Sequence, residues 1–231
     1  EGEIPQPASL EQVLLCDLIC LHPELTHDGP WPSYHVIGSA QCESLGSHQL
    51  LINASRGAVI DNHALLQRLG RPLPPAVVLD VWEHEPRVDP ELLRQVHIGT
   101  AHIAGYSLDG KLLATRMLAG QLLSHFGMGS QVGAGLADDI APLLLEGARS
   151  PAEAVRQLIG QRYQVARDDR LLRRAVLDSD ANQSAAKFDV LRKQYAERRE
   201  LAGSTVIVAP SDICYLDTVR ALGAQPVMRE D

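Results

Sequence analysis

Apolar and polar positions along this chain fall into two regimes. As far as about Phe126, short unbroken apolar runs alternate with segments whose apolar residues recur at helical spacing. Val13 to Leu21, Leu50 to Asn53 and Ala76 to Val81 are predicted strands, while Asn62 to Leu69, Pro90 to Val96 and Leu108 to Phe126 are predicted helices. A strand that is apolar at successive positions must be buried on both faces, and helices between consecutive strands can supply the cover. The pattern therefore predicts an α/β fold with a parallel sheet, half of a doubly wound architecture.

Beyond this region the pattern changes. Gly127 to Gly135 carries no periodic apolar signal and reads as a linker. Pro151 to Val176 then predicts one long charged helix, with Ser150 as its N-cap and Pro151 at the first helical position, where a missing N–H costs nothing. A helix over Phe188 to Leu201, a strand over Thr205 to Ala209, a helix over Asp212 to Leu222 and a last strand over Gln225 to Met228 complete a small α+β unit. The expected domains are residues 1–128 and 129–231, with no internal repeat or low-complexity tract.

Composition narrows the function classes. With 231 residues, 45% of them hydrophobic, the chain can bury a core, and its net charge of -8 disfavours nucleic-acid or anionic-membrane partners. A small molecule is the expected ligand. Residues Glu1 to Leu10 do not resemble a signal peptide, and the run Val13 to Leu21 is interrupted by Asp17 and too short to span a bilayer, so a cytoplasmic location is expected. Cys16, Cys20, Cys42 and Cys214 show neither a C-x-x-C pair nor a disulfide spacing; they read as reduced and mostly buried thiols, and no metal site is expected.

Three segments carry candidate chemistry, each ending a predicted strand. Arg56 follows the strand Leu50 to Asn53, and ligands of an open α/β sheet bind at the carboxyl ends of its strands. Its planar guanidinium suits a carboxylate, although taken alone it also reads as a surface arginine over a loop. Asp80 ends the next strand, and Glu85 lies beyond it in a loop stiffened by Pro86. A carboxylate there can orient a histidine, yet Glu83, Glu85 and Asp89 together also read as a solvated acidic loop. His102 follows the apolar run at Ile98 and can move a proton near neutral pH, while Gly105 lets a flat ring approach the backbone. An arginine, a glutamate and a histidine in that order, each just past a separate strand, favour an active site over three unrelated surface residues.

These residues sit in R-G-A-V-I-D (56–61), L-D-V-W-x-x-E-P (79–86) and T-A-H-I-A-G (100–105), which resemble the signature segments of the D-2-hydroxyacid dehydrogenases. The continuation I-A-G-Y-S-L-D-G-K, with Tyr163 to Asp169 and Phe188 to Glu200, is similar to a branch of that family carrying an extra C-terminal dimerisation domain. The resemblance implies a Rossmann-type sheet followed by that domain, NAD as cofactor, a phosphorylated hydroxy acid as substrate and a homodimer. It implies Arg56 as the substrate-carboxylate clamp, Glu85 as partner of the histidine and His102 as acid/base. Asp80 and Gly105 would contact NAD, and Tyr106 the substrate. Pro23 would touch the cofactor edge, although the segment here runs His22-Pro-Glu-Leu-Thr26 where the family has H-T-P-L-T. Neither G-x-G-x-x-G nor the acidic residue that binds the adenosine ribose occurs, so the chain is expected to be the C-terminal part of such an enzyme, with nucleotide loop and substrate domain upstream. Other expectations are a sister enzyme such as phosphoglycerate dehydrogenase, or a non-catalytic dimerising remnant.

Overall fold

A computed structural model describes residues 7–128 and 141–229. The chain forms two compact units, Glu1–Ala104 with Val165–Tyr195, and Gly105–Gln164 with Ala196–Asp231.

In the first unit β1 (Leu18–Leu21), β2 (Leu50–Asn53), β3 (Ala76–Leu79) and β4 (Ile98–Gly99) form a four-stranded sheet, parallel throughout and in chain order. Parallel neighbours require a crossover between them, and α2 (Ser39–Ser44), α3 (Asn62–Leu69) and α4 (Pro90–Gln95) occupy the three crossovers. The helix starts are written in the sequence. Asp61 caps α3 by accepting from the Ala64 N–H, and Asp89 caps α4 ahead of Pro90. A short α1 (Leu10–Val13) opens on a capping box between Ser9 and Gln12, so the apolar run from Val13 is part helix and only its last four residues form the strand. Leu51, Leu65, Val77, Leu79, Leu92 and Leu93 make up the fully buried centre.

Two helices distant in sequence complete this core. The single helix expected over Pro151 to Val176 is broken at Tyr163, which is extended (φ -144, ψ 127), giving α6 (Pro151–Arg162) and α7 (Val165–Leu177). The helix expected from Phe188 is α8 (Ala181–Lys193), started earlier by the Asp180 N-cap and finished before Leu201. Leu172, Val176 and Phe188 of this α7–α8 hairpin are buried in the cluster that covers the first sheet. Polar clamps add to the packing: Asp169 accepts the Gly99 N–H (2.8 Å) and pairs with Arg173, which donates to the Leu93 (2.7 Å) and Val96 (2.9 Å) carbonyls behind α4. The compact units are therefore interleaved in sequence, whereas the expected division at 128/129 is linear.

The second unit holds a smaller parallel sheet in the order β5 (Leu143–Leu145), β6 (Thr205–Val208), β7 (Gln225–Met228), of which β5 lies outside the expected elements. Leu143, Leu145, Leu158, Val206, Val208 and Val219 form its core. The expected helix from Asp212 is a 3-10 turn (Pro210–Tyr215) followed by α9 (Leu216–Ala221). The long helix α5 (Leu108–His125) buries none of its residues, but its first turn is anchored by Asp109, which accepts Arg199 Nε and Nη2 and the Glu200 N–H. Of the expected linker only Gly127 and Met128 lie within the described residues. The thiols are not mostly buried: Cys42 alone is enclosed, with burial pushing it up to about 12, while Cys16, Cys20 and Cys214 are exposed. Among the described residues no helix is long and apolar enough to cross a membrane.

Candidate active site

All strands of the first sheet run the same way, so their exits share one end, and the residues singled out in that unit lie there. Pro23 follows β1 and is exposed. At the end of β2 the buried Asn53 shapes the turn: its Oδ1 accepts from the Ser55 N–H (3.1 Å) and Oγ (2.8 Å), and its Nδ2 donates to the Arg56 carbonyl (3.0 Å). Arg56 emerges from that turn exposed and extended, and its guanidinium donates only to the Ser55 carbonyl (2.7 Å) among the described residues. None of the described carboxylates neutralises it there.

Gly57 explains how this loop meets the next. A Cβ at this position would lie 2.0 Å from the Trp82 carbonyl carbon and 2.4 Å from the Glu83 nitrogen. The two loops touch backbone to backbone, which only glycine permits. Trp82 is fixed in turn by an indole N–H bond to the Thr100 carbonyl (2.9 Å) and by packing on Gly99.

Asp80, expected at the cofactor, is turned inward. It is 5% exposed, and its oxygens accept the Thr100 hydroxyl (2.5 Å), the Ile103 N–H (2.8 Å) and the Ala104 N–H (2.9 Å). Its own carbonyl accepts the His102 N–H (2.7 Å). The carboxylate thus holds the loop on either side of His102, and both of its oxygens are occupied in doing so.

His102 has a left-handed backbone (φ 55), a conformation a non-glycine residue adopts at a cost of order 1 kcal/mol. Its Nδ1 lies 2.8 Å from Glu85 Oε2, while Glu85 Oε1 accepts the Trp82 N–H (2.7 Å). Both side chains keep some contact with solvent, 29% for the histidine and 19% for the glutamate. An ionised carboxylate only accepts, so Nδ1 carries the hydrogen and Nε2 of the neutral ring keeps its lone pair. That nitrogen can take a proton, and the glutamate then faces the imidazolium it creates.

Gly105 and Tyr106 belong to the second unit. Gly105 is exposed, an added Cβ there would meet nothing within 4 Å, and the Lys111 ammonium lies 4.2 Å from the centroid of the Tyr106 ring. The acidic cluster of the sequence separates into three roles. Asp89 caps a helix, Glu85 holds His102, and Glu83 binds His35 (2.7 Å), a pairing the sequence did not suggest.

Residues 2–104 match the family described as D-isomer specific 2-hydroxyacid dehydrogenase, NAD binding domain, and residues 138–223 match a domain of unknown function, DUF3410. The chain is 39% identical over 217 residues to an erythronate-4-phosphate dehydrogenase of Marinobacter nauticus, covering 93% of this chain and 56% of that protein. It is 44% identical over 203 residues to the enzyme of that name from Cellvibrio japonicus, covering 85% and 53% respectively. The chain thus spans a little over half the length of these curated relatives. A glyoxylate reductase from Paecilomyes thermophila is a similar solved structure, with a TM-score of 0.40, 27% identity and coverage of 47% of this chain and 32% of that one.

Proposed function

We propose, from the match of residues 2–104 to the NAD-binding domain family of the D-isomer specific 2-hydroxyacid dehydrogenases and from the similarity to erythronate-4-phosphate dehydrogenases, that the chain supplies the acid–base side of a 4-phosphoerythronate dehydrogenase. The substrate is 4-phospho-D-erythronate and the product 2-oxo-3-hydroxy-4-phosphobutanoate, on a route to pyridoxal 5'-phosphate in the cytoplasm. NAD, when bound, supplies the hydride acceptor. Pro23 and Gly105 are the exposed positions proposed to border it, since a Cβ at Gly105 would meet only open space. Asp80 is proposed to serve that border from behind, by holding the loop.

Arg56 takes the substrate carboxylate in its planar fork. Tyr106 contacts the substrate. His102 Nε2 removes the C2 hydroxyl proton as hydride leaves C2, so the alcohol loses two electrons and two hydrogens and becomes a ketone. Glu85 stabilises the imidazolium as it forms. The observation that carries this reading is the 2.8 Å His102–Glu85 pair on the same sheet end as an arginine with no carboxylate partner among the described residues.

The test is NADH formation from 4-phospho-D-erythronate by a protein of the relatives' full length that contains this chain. His102→Asn is expected to lower kcat/KM about a thousandfold. Turnover of 3-phosphoglycerate instead points to phosphoglycerate dehydrogenase, and no turnover of either points to a non-catalytic remnant.

The same reading takes a second copy of the chain as partner, through residues 129–231. Leu144, Ile207 and Val227 are register partners across the second sheet, and Leu144 (42% exposed) and Val227 (51%) leave that row uncovered. Parallel sheets are ordinarily covered on both faces. Leu144→Arg is expected to convert a sedimenting dimer to monomer, and a wild-type chain that sediments as monomer at high concentration removes the proposal.

A further inference from the structure

We propose that His35, Asp61 and Glu83 form a binding site for a divalent transition-metal ion of the Zn2+ type, separate from the His102–Glu85 pair. The three residues come from different crossovers: His35 between β1 and α2, Asp61 at the cap of α3, and Glu83 beyond β3. One ligand-capable atom from each lies within 4.8 Å of the other two. They line a cavity of about 370 Å³, together with Asn62, His63, Trp82, His84, Arg87 and Asp89.

The geometry turns one oxygen of each carboxylate toward the imidazole. Glu83 Oε2 is occupied by the Asn62 N–H (3.1 Å) and Asp61 Oδ1 by the Ala64 N–H (2.9 Å), which orient both carboxylates from behind. Glu83 Oε1 then lies 2.7 Å from His35 Nε2, and Asp61 Oδ2 lies 3.9 Å from His35 Nδ1. The imidazole is also held in place. Tyr34 stacks on it at 4.0 Å, and the His35 N–H donates to the Ala58 carbonyl (2.8 Å) in a left-handed backbone (φ 50). Such outer contacts set the aim of metal ligands.

The donor set decides the ion. Two carboxylate oxygens offset a dication's charge, and an imidazole nitrogen favours Zn2+ and its neighbours over Mg2+ or Ca2+. Ligand bonds of about 2.0–2.2 Å set tetrahedral donors about 3.3 Å apart. As the metal replaces the shared proton, the Nε2···Oε1 pair therefore opens from 2.7 Å, and Asp61, which faces Nδ1 at 3.9 Å, closes on the same ring nitrogen, Nε2. Arg87 also lines the cavity, but it forms no ion pair with either carboxylate among the described residues. A bound ion would fasten the exits of β1, β2 and β3 to one another. The inference rests on these side chains and not on the dehydrogenase reading.

The full chain, stripped with chelator, is titrated with Zn2+ by calorimetry and with Co2+ by visible spectroscopy. One equivalent is expected, and the Co2+ spectrum should lack the thiolate charge-transfer band that the exposed cysteines would give. Asp61→Asn keeps an oxygen to cap α3, so it should preserve the circular dichroism spectrum while weakening binding at least the roughly tenfold that loss of an outer-shell partner costs. Glu83→Gln and His35→Gln should weaken it further. No binding up to about 1 mM Zn2+, a thiolate band, or unchanged affinity in Asp61→Asn overturns the site.

Discussion

Each of the two sheets carries a buried aspartate that grips a neighbouring loop. Asp80 follows β3, is 5% exposed, and takes the Thr100 hydroxyl and the Ile103 and Ala104 amides from the loop after β4. Asp212 follows β6, is fully buried, and takes the hydroxyl of its neighbour Ser211 together with the Gly147 and Ala148 amides from the loop after β5. The mechanics match and the outcomes differ. The loop held by Asp80 presents His102 to Glu85, whereas the loop held by Asp212 leads through the Ser150 cap into α6. A buried carboxylate at a strand exit is thus a general way to fix a parallel sheet's loops. Chemistry is marked instead by the partly exposed polar groups that the fixed loop presents.

The largest effect expected is on the contact that has no counterpart in the second sheet among the described residues. Gly57→Ala drives a Cβ into the Trp82 backbone, and the loops must part at a cost above about 3 kcal/mol, read from denaturant unfolding. A stability loss below about 1 kcal/mol would mean the two loops are not in backbone contact.

Next come the two anchors compared directly. Asp80→Asn and Asp212→Asn each lose a charge and set an amide against N–H donors, so each should cost about 2–3 kcal/mol. Only Asp80→Asn should also depress turnover in the dehydrogenase assay. Equal effects on turnover would dissolve the contrast between the sheets. The Ser211 hydroxyl and the Gly147 and Ala148 amides hold the Asp212 carboxyl below the usual carboxylate range. A depressed folded-state value means that its stabilisation is full above the ordinary range and is lost as pH falls through the depressed one. In Asp212→Asn, part of the acid-side decline in stability should therefore disappear.

Glu85→Gln tests the presenting side of the comparison. It should lower kcat/KM about a hundredfold while shifting stability by less than about 1 kcal/mol. The double variant with His102→Asn should be little worse than His102→Asn alone, because a paired acid and base act as one unit. Full additivity would separate the two residues. The smallest effect is on labelling. At mild alkaline pH, alkylation of the native chain should modify Cys16, Cys20 and Cys214 and spare Cys42, whose thiol burial holds protonated. Equal labelling of Cys42 would show that the first core is open.

The elements that could be read from sequence are those decided locally. β2, α3 and β7 keep their expected bounds because an apolar run or a capped periodic stretch defines each without help from elsewhere. The helix expected over Pro151 to Val176 breaks at Tyr163, where the chain passes from one unit to the other, a demand that periodicity does not register. The strand-exit positions of Arg56, Glu85 and His102 could be read because each follows an apolar run. The inward turn of Asp80 could not, because the amides that claim it arrive from Ile103 and Ala104. Glu83 was lost among its acidic neighbours for a similar reason, its partner His35 being 48 positions away.

The interleaving of the units also dictates an order of events during synthesis. Residues Glu1–Ala104 leave the ribosome long before the α7–α8 hairpin that closes their core. Until Phe188 has emerged, the nascent sheet lacks the cover that Leu172, Val176 and Phe188 supply, and its apolar surface stays open to chaperones. The first unit therefore cannot finish folding until the whole Gly105–Gln164 segment of the second has been made.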